Sequence, residues 1–402
     1  MLKGSIPFLF FGTAASVFPH GDVNDVRLYK VSIVRSYHFL LPWPKTQNRT
    51  SKNLLLARCS KLNRQIYLEP MQNPFGIRSL IRGFQLEDPV VQFDTVNGRG
   101  PAIISHAHAD HAAEDLSMPV FATPETADLL KARGHIGEII RLDYDIWHQF
   151  DGWRLKMLPA GHVLGSAQTL VERADGLRLL YTGDVKTRTG RTSTPARFEP
   201  ADDLLMECTF GLPMFRFPPE EEVAASMTAF ARQCLDEGLT PVFLGYSLGK
   251  GQEIMSILAE AGIPMLLHGS IWYITEVYKR WGYEFGDIVR YNLERRAEPR
   301  AWVIPPHARA QMTDRMPKAR ICYVSGWALI ESRRDSQRAT LMAPLSDHAD
   351  YYDLLDIIDT VSPKRVWAVH GPYADLFAMD INRRGIQAAA LDSYVMDEEA
   401  IE

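Results

Sequence analysis

From Val90 onward the chain alternates short apolar runs with longer amphipathic ones, the rhythm of a layered α/β protein. Val90–Phe93, Ile103–Ser105, Leu155–Leu158, Leu177–Thr182 and Asp203–Met206 read as strands bounded by Gly, Pro or polar residues. Pro218-Pro219-Glu220-Glu221-Glu222 predicts a helix start, with proline in the first turn and acids at the positive end of the helix dipole. Beyond it the spacing changes. Pro241–Gly245, Met265–Leu267, Trp302–Ile304 and Ile321–Val324 read as buried strands, alternating with helices near 250–261, 270–282 and 307–316 in a doubly wound pattern. A strand at 365–369, a helix at 373–384 and a strand at 387–391 return to the first rhythm. The expected organisation is one α/β domain formed by residues 71–207 and 344–402, interrupted by a second α/β unit at 208–343. Residues 1–70 match no usable motif. Lys3 followed by the apolar stretch Ile6–Phe18 makes a poor secretory signal, and the working start is expected near Met71.

Composition narrows the class. With 402 residues, 46% hydrophobic and 23% charged, the chain can bury ample core without staples and is not a disordered one. No apolar run approaches bilayer-spanning length, so no membrane role is expected. Cys59, Cys208, Cys234 and Cys322 show no paired spacing, as reduced thiols in a cytoplasm would not. Residues 1–70 hold ten Lys/Arg against three Asp/Glu, whereas the whole chain carries a net charge of −5. An acidic body argues against a broad, non-specific nucleic-acid coat, yet a polyanion can still be held by local patches and bound cations.

The chemistry concentrates in Ser105-His106-Ala107-His108-Ala109-Asp110-His111, directly after the apolar Pro101–Ile104. Imidazole and carboxylate are ligands of zinc and its neighbours. His106 and His108 lie two apart, on one side of an extended chain, and can grip one ion. Asp110 and His111 follow where the chain turns, facing a second position beside the first. His162 stands in a loop of small residues, Asp184 follows the 177–182 strand, and His348 and His370 fall at strand ends. A single histidine on an apolar strand is usually a satisfied core residue; a shared position at strand ends points to function. Six of the 12 histidines fall in these motifs.

The order HAHADH, His162, Asp184, His370 resembles the metallo-β-lactamase superfamily. Glu207-Cys208-Thr209, Ser346-Asp347-His348-Ala349 and Val369-His370-Gly371 resemble the three extra motifs of its β-CASP nucleases. More narrowly, MECTFGLP (206–213), YSLGKGQ (246–252), LSDHADY (345–351) and HG-x-x-x-DLF (370–377) resemble bacterial ligase-associated DNA exonucleases, also described as similar to mRNA 3′-end processing factors.

That resemblance implies an αββα sandwich with an inserted β-CASP cap and two divalent metals, zinc foremost and manganese the alternative. It implies that His106, His108 and His162 hold one metal and Asp110, His111 and His370 the other, with Asp184 bridging and Asp94 orienting the loop. Two such ions supply a nucleophile near neutral pH and stabilise attacking and leaving oxygens. Catalysis is expected from Asp110, with His348 as general acid and Glu207 as the carboxylate that keeps it protonated. Gly245–Gly251 reads as a strand-to-helix turn whose backbone amides, with Ser247 and Lys250, grip phosphate. Ser325 and Gly326, beside Trp327, add substrate contacts. The implied substrate is nucleic acid, foremost single-stranded DNA ends in repair beside a ligase and a helicase. The same chemistry directed at RNA is the alternative. A thioester or lactam hydrolase has no use for the insertion or the Glu207/His348 pair, and a non-enzymatic scaffold would have lost ligands.

Overall fold

The computed structural model describes residues 71–391 apart from 114, 293–297 and 313–317. The expectation for residues 1–70 lies outside the described residues, as does the end of the helix expected at 307–316.

Six short strands form the first sheet in sequence order: β1 (Arg78–Ser79), β2 (Phe84–Glu87), β3 (Val90–Phe93), β4 (Ala102–Ile103), β5 (Val120–Ala122) and β6 (Ile139–Arg141). Helix α1 (Pro124–Ala132) lies between β5 and β6. Thr123 caps it by accepting from the Thr126 amide, with proline at the first turn and Glu125 at its positive end. The second sheet begins with β7 (Trp147–Phe150), β8 (Trp153–Pro159), β9 (Ala167–Arg173), β10 (Arg178–Tyr181) and β11 (Asp203–Glu207).

The chain then leaves for a third sheet through α2 (Glu220–Asp236). Its strands are β12 (Thr240–Leu244), β13 (Met265–Leu267), β14 (Ile288–Arg290), β15 (Ala301–Ile304), β16 (Ala319–Val324) and β17 (Leu341–Ala343). They pair parallel throughout, in the order β14-β13-β15-β12-β16-β17. Helices α3 (Lys250–Glu260) and α4 (Gly269–Arg280) connect its strands, joined by the short α5 (Arg309–Met312) and α6 (Arg333–Gln337). Helix α7 (Tyr351–Val361), β18 (Arg365–Val369), α8 (Ala374–Arg383) and β19 (Gln387–Ala390) complete the second sheet, ordered β19-β18-β11-β10-β9-β8-β7.

Alternation along the strands of the second sheet sorts its side chains onto two buried faces. Leu155, Met157, Leu179, Tyr181, Leu205 and Trp367 meet Phe84, Phe93 and Ile103 of the first sheet. Leu158, Leu180, Leu204, Met206 and Val366 point the other way, onto Leu354, Ile357, Phe377 and Ile381 of α7 and α8. Both faces are covered, so these strands read in sequence as unbroken apolar runs rather than alternating ones. Each fully buried Leu or Phe contributes about 1.5–3 kcal/mol. On the other side, Ile104, Leu129, Leu130 and Leu164 share a core with Leu248, Ile254, Ile271 and Tyr278 of the third-sheet unit. The fold is thus a mixed α/β sandwich with a further parallel α/β unit.

Two expectations need correction. The strand predicted at 103–105 is Ala102–Ile103, because Ser105 leaves the ladder and turns its amide and hydroxyl to Asp94. The helix predicted near 307–316 starts as a 3-10 turn at Pro306–Ala308, before the four-residue helix α5. Among the described residues no helix is long and apolar enough to cross a membrane.

Candidate metal centre

Strands β10, β11 and β18 run parallel, and β8 runs with them, so their carboxyl ends share one edge of the second sheet. The chain delivers His162 after β8, Asp184 after β10, Glu207 at the end of β11 and His370 after β18. The 105–111 loop approaches from β4. Gly183 permits that approach: with φ at +55° it adopts the left-handed region, and a Cβ there would sit 2.7 Å from the Cβ of Ser105.

Ligand-type atoms of His106, His108, His162 and Asp184 lie within 4.8 Å of one another. His106 Nε2 and His162 Nε2 are each 3.0 Å from His108 Nδ1, and both are 3.6 Å from Asp184 Oδ2. Four ligands around a tetrahedral zinc stand about 3.4 Å apart, given zinc–nitrogen distances near 2.0–2.1 Å. The opposite ring nitrogens are already committed: His106 Nδ1 to Ser105 Oγ, His108 Nε2 to the Leu248 carbonyl and His162 Nδ1 to the Asp347 carbonyl. The inward nitrogens therefore present lone pairs to one another, an arrangement that a cation relieves. Burial holds His106 and His162 well below the ordinary histidine pKa and His108 down at about 4, so these imidazoles are neutral, the form that binds metal.

The second group is more acidic. His111 Nε2 lies 3.4 Å from both Asp110 Oδ2 and Asp184 Oδ1, and its ring centre is 4.6 Å from that of His370. Asp110 Oδ1 is buried without a hydrogen-bond partner, an orphan that a cation would satisfy. Asp184 turns one oxygen to each group. Burial lifts its carboxyl to about 7 while His111 pulls the other way. For His111 itself burial lowers the pKa, but Asp184, Asp110 and Asp94 raise it well above normal. A proton there stands in for the positive charge that this acidic pocket calls for. Burial brings His370 down to about 4. The residues present fit divalent metal.

Asp94 sits behind His111. Its Oδ2 accepts from His111 Nδ1 at 2.8 Å and from Tyr181 Oη at 2.6 Å, and its carboxylate also takes the Ser105 amide and hydroxyl. A carboxylate fixing the far nitrogen of a ligating histidine sets its tautomer and orientation. Tyr181 Oη also touches His370 Nε2 at 3.1 Å. Glu207 is fully buried and receives the Val185 amide at 2.7 Å. Both its oxygens face His348 Nδ1, at 2.9 and 3.0 Å, which leaves His348 Nε2 toward the cavity. Burial lowers the His348 pKa, but Glu207 and Asp184 outweigh it and raise it to about 10.

A cavity of about 720 Å³ opens over these groups. Ser247, Lys250, Ser325 and Gly326 all line it, though Ser247 Oγ is engaged with Ser270 Oγ at 2.7 Å and Ser325 Oγ caps the Trp327 amide. Lys250 is only 2% exposed, and its Nζ bonds the Leu345 carbonyl at 2.8 Å and Asp347 at 3.1 Å. Four contributors escaped sequence reasoning. Ser105, Asp347 and Tyr181 hold other groups, and only their adjacency to the motifs signalled them. Arg133, at the end of α1, lines the cavity near Asp110 with no ion-pair or hydrogen-bond partner for its side chain among the described residues. Nothing in the sequence distinguished it from other surface arginines.

Residues 342–391 match the family described as Zn-dependent metallo-hydrolase RNA specificity domain. A 302-residue stretch, 72% of this chain, is 35% identical to a protein of Opitutus terrae named probable DNA ligase. A 230-residue stretch, 49% of this chain, is 26% identical to an RNase J-like protein of Methanocaldococcus jannaschii. The matches span 28% and 54% of those relatives' own lengths. A crystal structure of an Enterococcus faecalis V583 protein of unknown function shares the fold, with a TM-score of 0.50 and 16% identity over 74% of this chain and 79% of that one. By these matches the chain belongs to the β-CASP branch of the metallo-β-lactamase superfamily.

Proposed function

We propose that this chain is a two-metal nuclease that hydrolyses phosphodiester bonds at single-stranded DNA ends. The observation that carries it is a shared cavity. Asp184 turns one oxygen to each of two donor groups, and His348, held by buried Glu207, faces the same space. Divalent ions in these groups, zinc foremost or manganese, would supply a nucleophile near neutral pH and stabilise the attacking and leaving oxygens. His106, His108 and His162 would hold one ion, Asp110, His111 and His370 the other, with Asp184 shared.

The protein's own groups do the rest. His348 carries the proton, and its outward Nε2 delivers it to the departing 3′-oxygen. Glu207 keeps that proton in place by accepting from Nδ1, and Asp94 fixes His111 from behind. Arg133 offers its guanidinium to a backbone phosphate. Trp327, against which Phe210 packs at 4.7 Å between ring centres, gives a base a face to stack on. Residues 208–343 act as the cap that covers the strand.

DNA is favoured because a relative named as a probable ligase contains the matched stretch within one polypeptide. Repair beside a ligase is the setting this reading takes, with a helicase as a further proposed partner. Cys208, Cys234 and Cys322 are free and buried, which suits a reducing cytoplasm. RNA is the second reading, favoured by the match of residues 342–391 and by the RNase J-like relative.

The test is incubation of zinc- or manganese-loaded protein with end-labelled single-stranded DNA and RNA of one sequence. Faster loss of terminal nucleotides from DNA is expected. Faster cleavage of RNA reverses the substrate, and cleavage of neither by protein holding two ions ends the nuclease reading.

A further inference from the structure

The turn Tyr246–Gly251 between β12 and α3 has the composition of a phosphate cradle, but its last three amides and its lysine are already used. The Gly249 amide bonds Gln252 Oε1 at 2.8 Å, the Lys250 amide bonds the Leu248 carbonyl at 3.1 Å, and the Gly251 amide bonds the Tyr246 carbonyl at 2.9 Å. Lys250 Nζ is buried between Leu345 and Asp347. None of these groups is left to meet a phosphate.

What the turn does touch is the first donor group. The Leu248 carbonyl accepts from His108 Nε2 at 3.2 Å. Lys250 pins the Leu345–Asp347 segment, and the Asp347 carbonyl accepts from His162 Nδ1 at 2.7 Å. Between them Gly249, at φ +82°, packs so closely on the loop carrying His162 that a Cβ would lie 2.3 Å from Val163 Cγ1. Two of the three histidines in that group are therefore oriented from the third-sheet unit, one directly and one through Asp347. The second group draws its support from elsewhere: Asp94 and Tyr181 belong to the first and second sheets.

We infer that the Leu248-Gly249-Lys250 turn is a positioning element for one metal of the pair, so that seating of the third-sheet unit and loading of the His106/His108/His162 position are coupled. Lys250 is a positioning residue in this scheme. Partners that fix the far nitrogen of a ligating histidine are worth about 10–100-fold in metal affinity. The inference rests on the two-metal reading above.

The experiment measures metal content during dialysis of purified protein against graded chelator, with cobalt substitution to follow each position by its absorption. Wild type, Lys250→Met, Gly249→Ala and Arg365→Met are compared. Arg365 forms a buried bidentate pair with Asp203 at the opposite ends of β11 and β18, so its variant controls for a lost buried ion pair away from the donors. His108→Ala and His370→Ala identify which cobalt spectrum belongs to which position. The expected result is that Lys250→Met and Gly249→Ala release one ion at about 10–100-fold lower chelator, that this ion is the one lost in His108→Ala, and that Arg365→Met keeps both. If Lys250→Met does not fold, Gly249→Ala decides alone. Release of both ions together, of neither, or of the ion lost in His370→Ala overturns the coupling while leaving the nuclease reading intact. Wild-type protein that binds no ion overturns both.

Discussion

The two halves of the candidate metal centre are built on different principles. The His106/His108/His162 group is neutral imidazole, with far nitrogens bonded to a hydroxyl and two backbone carbonyls. The Asp110/His111/His370 group is rich in carboxylate, and His111 leans on a buried Asp94 that accepts four hydrogen bonds. Charge demand therefore falls unequally on the pair. The acidic half attracts a cation by field, whereas the imidazole half depends on how well its rings are aimed. Asp184, with one oxygen on each side, is where the two designs meet.

Substitutions can break that contrast or sharpen it. Asp184→Ala should have the largest effect: affinity for both ions falls and cleavage drops at least about a thousandfold, the scale of losing one electrostatic stabiliser. Retention of two tightly held ions in metal analysis would refute the sharing. His348→Ala is expected to keep both ions and lose cleavage by about 10²–10⁴-fold, the range of general-acid catalysis. Equal metal loss in the His348 and Asp184 variants would erase the division between ligand and acid.

Asp94→Asn addresses chiefly the acidic half. It should loosen the ion at His111 by about 10–100-fold in a chelator titration, and the imidazole half less, because Asp94 reaches His106 only through Ser105. Glu207→Gln tests the acid through pH. In the proposed mechanism His348 works protonated, so kcat is expected to fall as pH rises through its pKa. Burial opposes the elevated value and Glu207 supports it, so replacing the carboxylate lowers that pKa and moves the alkaline limb to lower pH. A limb that stays in place, or moves up, contradicts the role given to Glu207. The smallest effect is Arg133→Ala: KM rises with kcat little changed, and the salt dependence of binding loses about one unit of slope.

Much of this was visible beforehand, for identifiable reasons. The metal-capable residues fell at strand ends, and parallel strands bring such ends to one edge whatever the details of packing. Glu207 and His348 lie 141 positions apart in the chain, and although each stands in a motif of its own they meet from different sheets: Glu207 ends β11 of the second, while His348 follows β17 of the third. The parallel third sheet was equally legible, because β12, β13, β15 and β16 are unbroken buried runs. Strand β1, two residues long, leaves too little pattern to read, and β4, equally short, reveals itself in sequence but not its bounds. Lys250 shows a different kind of opacity. A lysine after a glycine-rich turn has the same sequence whether it greets a phosphate or is sealed against Asp347, and only tertiary packing separates the two.

Strands β11 and β18 also carry a polar cluster at their beginnings, where Asp203 takes Arg365 in a bidentate pair and the Trp367 indole as a third donor. The candidate metal centre gathers where the same strands finish. Anchorage and chemistry thus occupy opposite poles of one pair of strands. An engineer could harden the far pole against heat, or evolution could let it drift, without re-aiming a side chain that faces the cavity.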